Sequence, residues 1–216
     1  NNSSIEIIPR DTKSNPADAL RAAKELGELG IKIVIGPVFN ENQAYLDELK
    51  EIAAQAVSLG AERFVLDDGW FGQRDDDTTS LSDWEVDPRK YPDGLGPLID
   101  HVHSKDMTFG IWFEPEMINP DSDIHRAHTE WALGSEDQTL GRQQKALNMA
   151  LPEVRDFIYG RMTAILSEYT IDYIKWDHNR VLPAPDAAQT RGSYALIDRL
   201  RADFPMVEIE SCASGG

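Results

Sequence analysis

The sequence predicts an α/β fold of the (β/α)8 barrel type, a partial or rearranged barrel of parallel strands. Three observations predict it: short β-branched or aromatic runs alternate with longer amphipathic stretches, polar and aromatic residues follow several of the runs, and no internal repeat or linker interrupts the 216 residues. Strands that alternate with helices imply a parallel sheet with right-handed crossovers.

Seven runs are strand candidates because each is short and rich in β-branched or aromatic residues. A closed barrel needs eight strands, so seven candidates indicate an incomplete or rearranged barrel. The runs cover residues 5–9, 31–39, 63–67, 108–113, 144–149, 171–176 and 206–211.

Two stretches between these runs place their apolar residues on one helical face. Asp47 near the start of the first stretch and Gly60 after its end are typical of helix termini. The two apolar faces comprise Leu46, Leu49, Ile52, Ala53, Ala56 and Val57, and Val154, Phe157, Ile158, Met162, Ile165 and Leu166.

Four strand candidates end in, or are followed directly by, polar or aromatic residues: DDGW at 67–70, EPE at 114–116, KWD at 175–177 and ESC at 210–212. Such residues at several strand ends are typical of the active face of a barrel, whereas an open sheet concentrates them near its switch point. The segment 71–97, rich in Asp and Gly, is predicted to be a loop on this face.

The composition disfavours several classes of partner and of cellular environment. The net charge of −17 disfavours nucleic acid and anionic membranes as partners, whereas a neutral sugar incurs no such repulsion. No apolar run approaches the roughly 20 residues of a membrane span. Cys212 is the one cysteine, so no internal disulfide is possible, and we expect a cytoplasmic protein.

Lys175 and Asp177 are the most informative pair. They lie two residues apart on one predicted strand, so their side chains point to the same side. A Lys inside an apolar strand needs a partner, and Asp177 is either that partner in a structural ion pair or a functional carboxylate. Trp70, Trp112 and Trp176 offer flat apolar surfaces to a ring-shaped ligand, and Trp112 and Trp176 are alternatively core aromatics.

Four ordered stretches carry a specific resemblance: FVLDDGWFGQRDDDTTSLSDWEVDPRKYPDGL, FGIWFEPEMINPDSD, IDYIKWDHNR and EIESCASGG. They resemble the successive strand-end motifs of glycoside hydrolase family 36, whose members are α-galactosidases on a (β/α)8 barrel. The likeness runs from about Pro37 to Gly216. Residues 31–216 are therefore predicted to be a partial catalytic barrel, and residues 1–30 an extra strand and helix without a counterpart in the family.

The resemblance implies a retaining hydrolase of terminal α-D-galactosides that uses no metal or organic cofactor. Asp177 matches the nucleophile of the family. The positions that match the galactose-binding residues and the pocket wall are Asp67, Asp68, Trp112, Arg142, Lys175, Asn179, Cys212 and Gly215.

Three departures from the family pattern affect these expectations. The family's acid/base Asp follows the glycines after Cys212, so we expect it to be absent from these 216 residues and the chain alone to be weakly active or inactive. Asn40 corresponds to the Asn at the end of the family's first strand, but the Trp that follows it in the family does not appear here. Asn148 stands where an Asp is expected on a fourth strand, predicted at 144–149.

Alternative functions predict different observations. A non-catalytic barrel scaffold would keep the motifs without activity, and a Schiff-base lyase would use Lys175.

Two pairs of histidines are candidate metal ligands: His101 with His103, and His125 with His128. They are interpreted as surface residues because no third ligand stands nearby. The predicted partner is a small sugar, and a second copy of the chain could complete or cover an open barrel as a homo-oligomer.

Overall fold

A computed structural model describes residues 33–35, 44–180, 182–183 and 187–212 of the chain. Five helices and seven strands follow one another in the described residues. Their order is β1 (Ile33–Ile35), α1 (Ala44–Ser58), β2 (Arg63–Leu66), α2 (Gly96–His103), β3 (Thr108–Phe113), β4 (Met117–Ile118), α3 (Asp123–Ala127), a 3-10 turn (Thr129–Trp131), β5 (Lys145–Ala146), α4 (Pro152–Glu168), β6 (Tyr173–Trp176), α5 (Ala187–Asp203) and β7 (Glu208–Ser211).

Five strands form one parallel sheet in the order β1-β2-β3-β6-β7. Each of these strands therefore pairs with the next sheet strand along the chain, which is the order of consecutive barrel strands. This arrangement confirms the predicted parallel α/β fold. The predicted strand at 5–9 and the extra unit at 1–30 lie outside the described residues.

The prediction of a sheet strand at 144–149 was wrong. Only Lys145 and Ala146 are extended, and they pair antiparallel with Met117 and Ile118 in a separate two-stranded sheet. The strand β6 lies directly beside β3, with Gly110 opposite Tyr173, so no position remains between them for a further strand. Asn148 consequently begins a turn, its carbonyl accepting from the N–H of Leu151, and does not end a barrel strand.

Side chains alternate between the two faces of the sheet, so that one face packs in the apolar core and the other forms the inner face of the partial barrel. Phe64, Phe109 and Ile174 are fully buried and belong to the apolar core under the helices. The opposite face carries polar groups: Arg63 donates to Glu208 at 2.7 Å and lies over the ring of Tyr173. A sheet with one apolar and one polar side results from the period of two along each strand.

The helical faces predicted from the sequence are confirmed. Leu49 and Ile52 of α1 and Ile158 and Met162 of α4 are buried. The helix α1 ends as the sequence predicts, because Gly60 has a φ of +83° and its N–H bonds the carbonyl of Val57. The N–H of Ala61 bonds the carbonyl of Ala56, which completes the paired hydrogen bonds of a Schellman motif.

The long loop after β2 is held by aromatic side chains. Trp84 and Tyr91 are each 1% exposed and anchor the segment 71–97. The ring of Trp84 lies 6.0 Å from that of Trp70 and 5.2 Å from that of Phe113. The loop therefore packs against the end of β3 and has a defined position over the carboxyl edge of the sheet.

Gly192 allows α5 to approach the backbone closely. A Cβ at this position would lie 1.9 Å from the carbonyl oxygen of Met149, a backbone atom that cannot rotate away. Gly192→Ala is expected to destabilise the protein by about 1–3 kcal/mol, because the overpacked contact outweighs the better helix propensity of Ala.

Gly160→Ala is the matched control, since Gly160 is an exposed glycine of α4 and a Cβ added to it would meet no atom within 4 Å. It is expected to stabilise the protein by up to about 1 kcal/mol. Urea denaturation of both variants measures the difference, and equal effects of the same sign would contradict the close approach.

Candidate active site

The carboxyl ends of β2, β3, β6 and β7 meet at one edge of the sheet. The sequence places Asp67 and Asp68 directly after β2, Glu114 directly after β3, and Asp177 directly after β6. All four carboxyl groups are buried, with residue exposures between 0% and 8%. The parallel topology thus collects acidic groups that are distant in sequence, which is how barrel active faces are built.

Asp177 is held by three hydrogen bonds. Its Oδ2 accepts from Trp112 Nε1 at 3.0 Å and from Asn179 Nδ2 at 2.6 Å, and its Oδ1 accepts from the backbone N–H of His178 at 2.9 Å. Its own backbone N–H donates to the carbonyl of Phe113 and so extends the pairing of β6 with β3. These three donors fix the orientation of the carboxylate.

Lys175 forms its ion pair with Asp67 and not with Asp177. Lys175 Nζ donates to Asp67 Oδ2 at 2.9 Å, which corrects the alternative that Asp177 is its structural partner. Burial by itself lowers the pKa of Lys175, but the Asp67 carboxylate outweighs it and holds this pKa above its usual range. The charge of Asp177 acts in the same direction as that of Asp67.

Asp68 is fixed by a residue that the sequence analysis missed. Arg74 donates from Nε and from one terminal nitrogen to the two Asp68 oxygens, each at 2.8 Å. Its other terminal nitrogen donates to the carbonyl of Thr79 and to Asn119 Oδ1, and the Arg74 side chain is 1% exposed. The sequence did not indicate this contact, because Arg74 lies six residues after Asp68 and only the conformation of the loop brings the two side chains together.

Glu114 is a second residue that the sequence analysis did not assign. It is fully buried; its Oε1 accepts from the backbone N–H of Asn179 at 2.6 Å and its Oε2 accepts from Gln144 Nε2 at 2.8 Å. Burial raises the pKa of Glu114 to about 7, and the nearby charge of Asp177 contributes to the rise. Its place in the EPE motif was the available signal.

Glu116 organises the opposite side of β6. It accepts from Ser193 Oγ at 2.5 Å and Trp176 Nε1 at 3.2 Å, and His178 Nδ1 lies 3.5 Å away. The hydrogen bond to Glu116 raises the pKa of His178. These side chains line a groove of about 1100 Å³ between α5 and β7, which Asp177 does not line.

The three tryptophans differ from the expectation that all offer a surface to a sugar. Trp70 is fully buried, and its ring packs 5.2 Å from that of Phe113, so no face is open to a ligand. Trp176 is 3% exposed and points to the groove beside Glu116. Trp112, at 2% exposed, lies in the site through the hydrogen bond of its indole N–H to Asp177.

The remaining predicted site residues are arranged as follows. Asn179 lies in the site. Cys212 is half-buried at the end of β7, and its backbone N–H donates to the carbonyl of Trp176. Arg142 is exposed in the turn before β5, with a φ of +49°, and among the described residues no hydrogen bond joins it to the acidic cluster. Gly215 lies outside the described residues.

His101 and His103 have ordinary structural contacts, whereas His125, interpreted from the sequence as a surface residue, is buried. His101 Nε2 lies 3.0 Å from the carbonyl of Lys50, and His103 Nε2 lies 2.9 Å from Asp172 Oδ2. In residues 44–180 and 187–212, no three His, Cys, Asp or Glu side chains are grouped so that they could hold a metal ion. No helix in these ranges is long and apolar enough to cross a membrane.

Comparison with known proteins identifies close relatives. The family model described as Melibiase matches residues 38–216. An alpha-galactosidase of Escherichia coli is 51% identical over 190 residues, which are 84% of this chain and 26% of that protein. Alpha-galactosidase Mel36A of Lactobacillus acidophilus is 42% identical over 193 residues, 82% of this chain and 26% of its own length. The chain thus spans about a quarter of these relatives.

Solved structures have the same fold. The alpha-galactosidase from Lactobacillus brevis superimposes with a TM-score of 0.72 at 44% identity, covering 82% of this chain and 25% of that protein. A variant of the GH36 alpha-galactosidase AgaA from Geobacillus stearothermophilus in complex with stachyose gives 0.74 at 31% identity, covering 93% and 32%. The chain therefore belongs to the Melibiase family of glycoside hydrolases and forms part of the barrel of the glycoside hydrolase family 36 enzymes.

Proposed function

We propose that this chain carries the nucleophilic half of a retaining α-galactosidase site, in which Asp177 forms a covalent bond to the galactosyl group. One observation supports this most strongly: the Asp177 carboxylate is fixed at a barrel strand end by Trp112 and Asn179, beside the Lys175–Asp67 ion pair. The solved relatives include AgaA variants in complex with stachyose and with raffinose, which are sugars of the class that this proposal predicts.

In the proposed reaction an Asp177 oxygen attacks the anomeric carbon while the bond from that carbon to the aglycone oxygen breaks. The electron pair leaves with the aglycone oxygen, which takes a proton from a second carboxyl group about 5–5.5 Å from the first. In the second step water gives a proton to the second carboxyl group and attacks the anomeric carbon, the bond from that carbon to Asp177 breaks, and galactose leaves with retained configuration. No metal or organic cofactor takes part.

We propose that this second carboxyl group is not among the 216 residues, as the family resemblance implies. Since general acid catalysis contributes about 10²–10⁴-fold, the chain alone would hydrolyse natural galactosides poorly. A substrate whose leaving group needs no protonation would bypass this requirement and would report on Asp177 alone.

The sugar would be held by groups of both charges. The carboxylates of Asp67 and Asp68 would accept hydrogen bonds from sugar hydroxyls, with Asp68 held rigid by Arg74, while Lys175 and Asn179 would donate. A site built for hydroxyls at fixed positions rejects sugars that carry them elsewhere. Trp112, whose indole N–H donates to Asp177, would line the same pocket. Cys212, Arg142 and Gly215 remain proposed members of the pocket on the resemblance alone.

A covalent trapping experiment tests the proposal. The full chain is incubated with 5-fluoro-α-galactosyl fluoride, whose fluoride departs with its electron pair as the Asp177–C1 bond forms. We expect mass spectrometry to find one galactosyl adduct per chain, on the peptide that contains Asp177. Asp177→Asn is expected to abolish the adduct, since an amide oxygen is a far weaker nucleophile than a carboxylate.

Asp100→Asn is the matched control, because it makes the same change at an exposed position of α2. It is expected to label as the unmodified chain does. An adduct on a different carboxylate, or equal labelling of Asp177→Asn, would refute the assignment. Galactose binding measured by calorimetry without any adduct would instead support a non-catalytic sugar-binding barrel.

A further inference from the structure

Glu114 is a buried carboxyl group that the proposed reaction does not use. It follows β3 directly and is fully enclosed, so it has no surface from which to contact a substrate. Both of its oxygens are engaged inside the protein, one by the backbone N–H of Asn179 and one by Gln144 Nε2. Burial of a carboxyl group costs free energy unless it is hydrogen-bonded, and these two contacts offset that cost.

Glu114 is connected to Asp177 through one intermediate residue, Asn179. Glu114 Oε1 fixes the backbone of Asn179 at 2.6 Å, and Asn179 Nδ2 donates to Asp177 Oδ2, also at 2.6 Å. Trp112, the other donor to Oδ2, lies two residues before Glu114 on the same strand segment. Both donors to Oδ2 are therefore positioned by the end of β3.

We propose, on the basis of the function proposed above, that Glu114 is a positioning residue for the nucleophile: by anchoring the Asn179 backbone it sets the orientation of the Asp177 carboxylate toward the anomeric carbon. Gln144 anchors Glu114 in turn. The chain of contacts links Gln144, which directly precedes β5, to the nucleophile, which a role in folding alone does not require.

The geometry also supplies a conservative variant. Gln144 Oε1 is buried with no hydrogen-bond partner among the described residues. In Glu114→Gln the new amide oxygen can accept from Asn179 while its NH2 donates to Gln144 Oε1 after the Gln144 amide turns over. Glu114→Gln therefore keeps both anchors, and Glu114→Ala removes them.

The test measures trapping by 5-fluoro-α-galactosyl fluoride and separates the maximal rate constant, kinact, from the binding constant, KI. Glu114→Ala is expected to lower kinact by about 10- to 100-fold through misorientation of the nucleophile, with KI nearly unchanged. Glu114→Gln should retain most of kinact. Glu62→Gln, which changes an exposed Glu before β2, should behave as the unmodified chain.

A double variant tests the route through Asn179. If Glu114 acts through the Asn179 amide, Glu114→Ala combined with Asn179→Ala lowers kinact no further than Asn179→Ala alone. Multiplying effects, or a rise of KI with an intact kinact, would overturn the inference.

Gln144→Leu decides the question where Glu114→Ala fails to fold. It leaves Glu114 with one anchor and is expected to lower kinact with KI unchanged, and an unaltered kinact overturns the positioning role. Absence of any adduct on Asp177 in the unmodified chain overturns the proposed function and this inference together. An adduct that forms equally fast in every Glu114 variant overturns this inference alone.

Discussion

Replacement of Arg74 by Met is expected to lower the free energy of unfolding by about 3–5 kcal/mol, because it leaves a buried carboxylate without its cation. Arg74 gives two hydrogen bonds to Asp68, one to the carbonyl of Thr79 and one to Asn119 Oδ1. Met fills a similar volume, so the loss reports the unpaired charge of Asp68 together with the lost hydrogen bonds to Thr79 and Asn119, and not a cavity.

Two companion variants sharpen this measurement by urea denaturation. Arg126→Met removes a cation that is 55% exposed and pairs with the exposed Asp121 and Asp123, so its expected cost is below about 1 kcal/mol. Arg74→Met combined with Asp68→Asn should recover part of the loss, since no ionised group is left behind. Equal costs for Arg74→Met and Arg126→Met would show that the buried pair has no special weight.

Glu114→Gln is expected to make the protein more stable than the unmodified chain at pH 8, by about 3 kcal/mol, and by much less at pH 5. Burial, with a contribution from Asp177, raises the pKa of Glu114 from 4.5 to about 7 in the folded protein. Between these values the folded chain holds a proton that the unfolded chain has released. The free energy of unfolding therefore falls as the pH rises from 4.5 through about 7. A Gln at position 114 does not titrate, so the variant does not lose this stability.

Urea denaturation of both proteins across pH 5 to 8 measures the difference. His178, whose pKa is raised by its hydrogen bond to Glu116, also loses its contribution to stability as the pH rises. It is present in both proteins, so its effect largely cancels in the comparison. A stability difference that is the same at pH 5 and pH 8 would show that Glu114 does not titrate in this range.

Several features of the fold follow from the sequence alone. The strands β2, β3, β6 and β7 coincide with predicted runs, and the buried faces of α1 and α4 match the predicted spacing. Period and burial are local properties, since a residue's neighbours at two or four positions along the chain determine its face. The strand-end motifs could likewise be located, because parallel strands bring their carboxyl ends to one edge.

Which groups form partners at that edge depends on the tertiary structure. Lys175 lies two residues from Asp177 on the strand, yet its ammonium group bonds Asp67 of a different strand. The segment that contains β5 has the composition of a sheet strand, but pairing of β6 directly with β3 excludes it from the sheet. Several segments can compete for the same position in a sheet, and local strand propensity does not decide which of them pairs there.

The sequence by itself determined the class of fold, the family and the position of the candidate nucleophile, because strand period and strand-end motifs are written in short stretches of chain. Only the tertiary structure decided that Arg74 fixes Asp68 and that Glu114 supports Asn179. Such hydrogen bonds join residues up to 65 positions apart, and their strength depends on burial that only the packed fold creates.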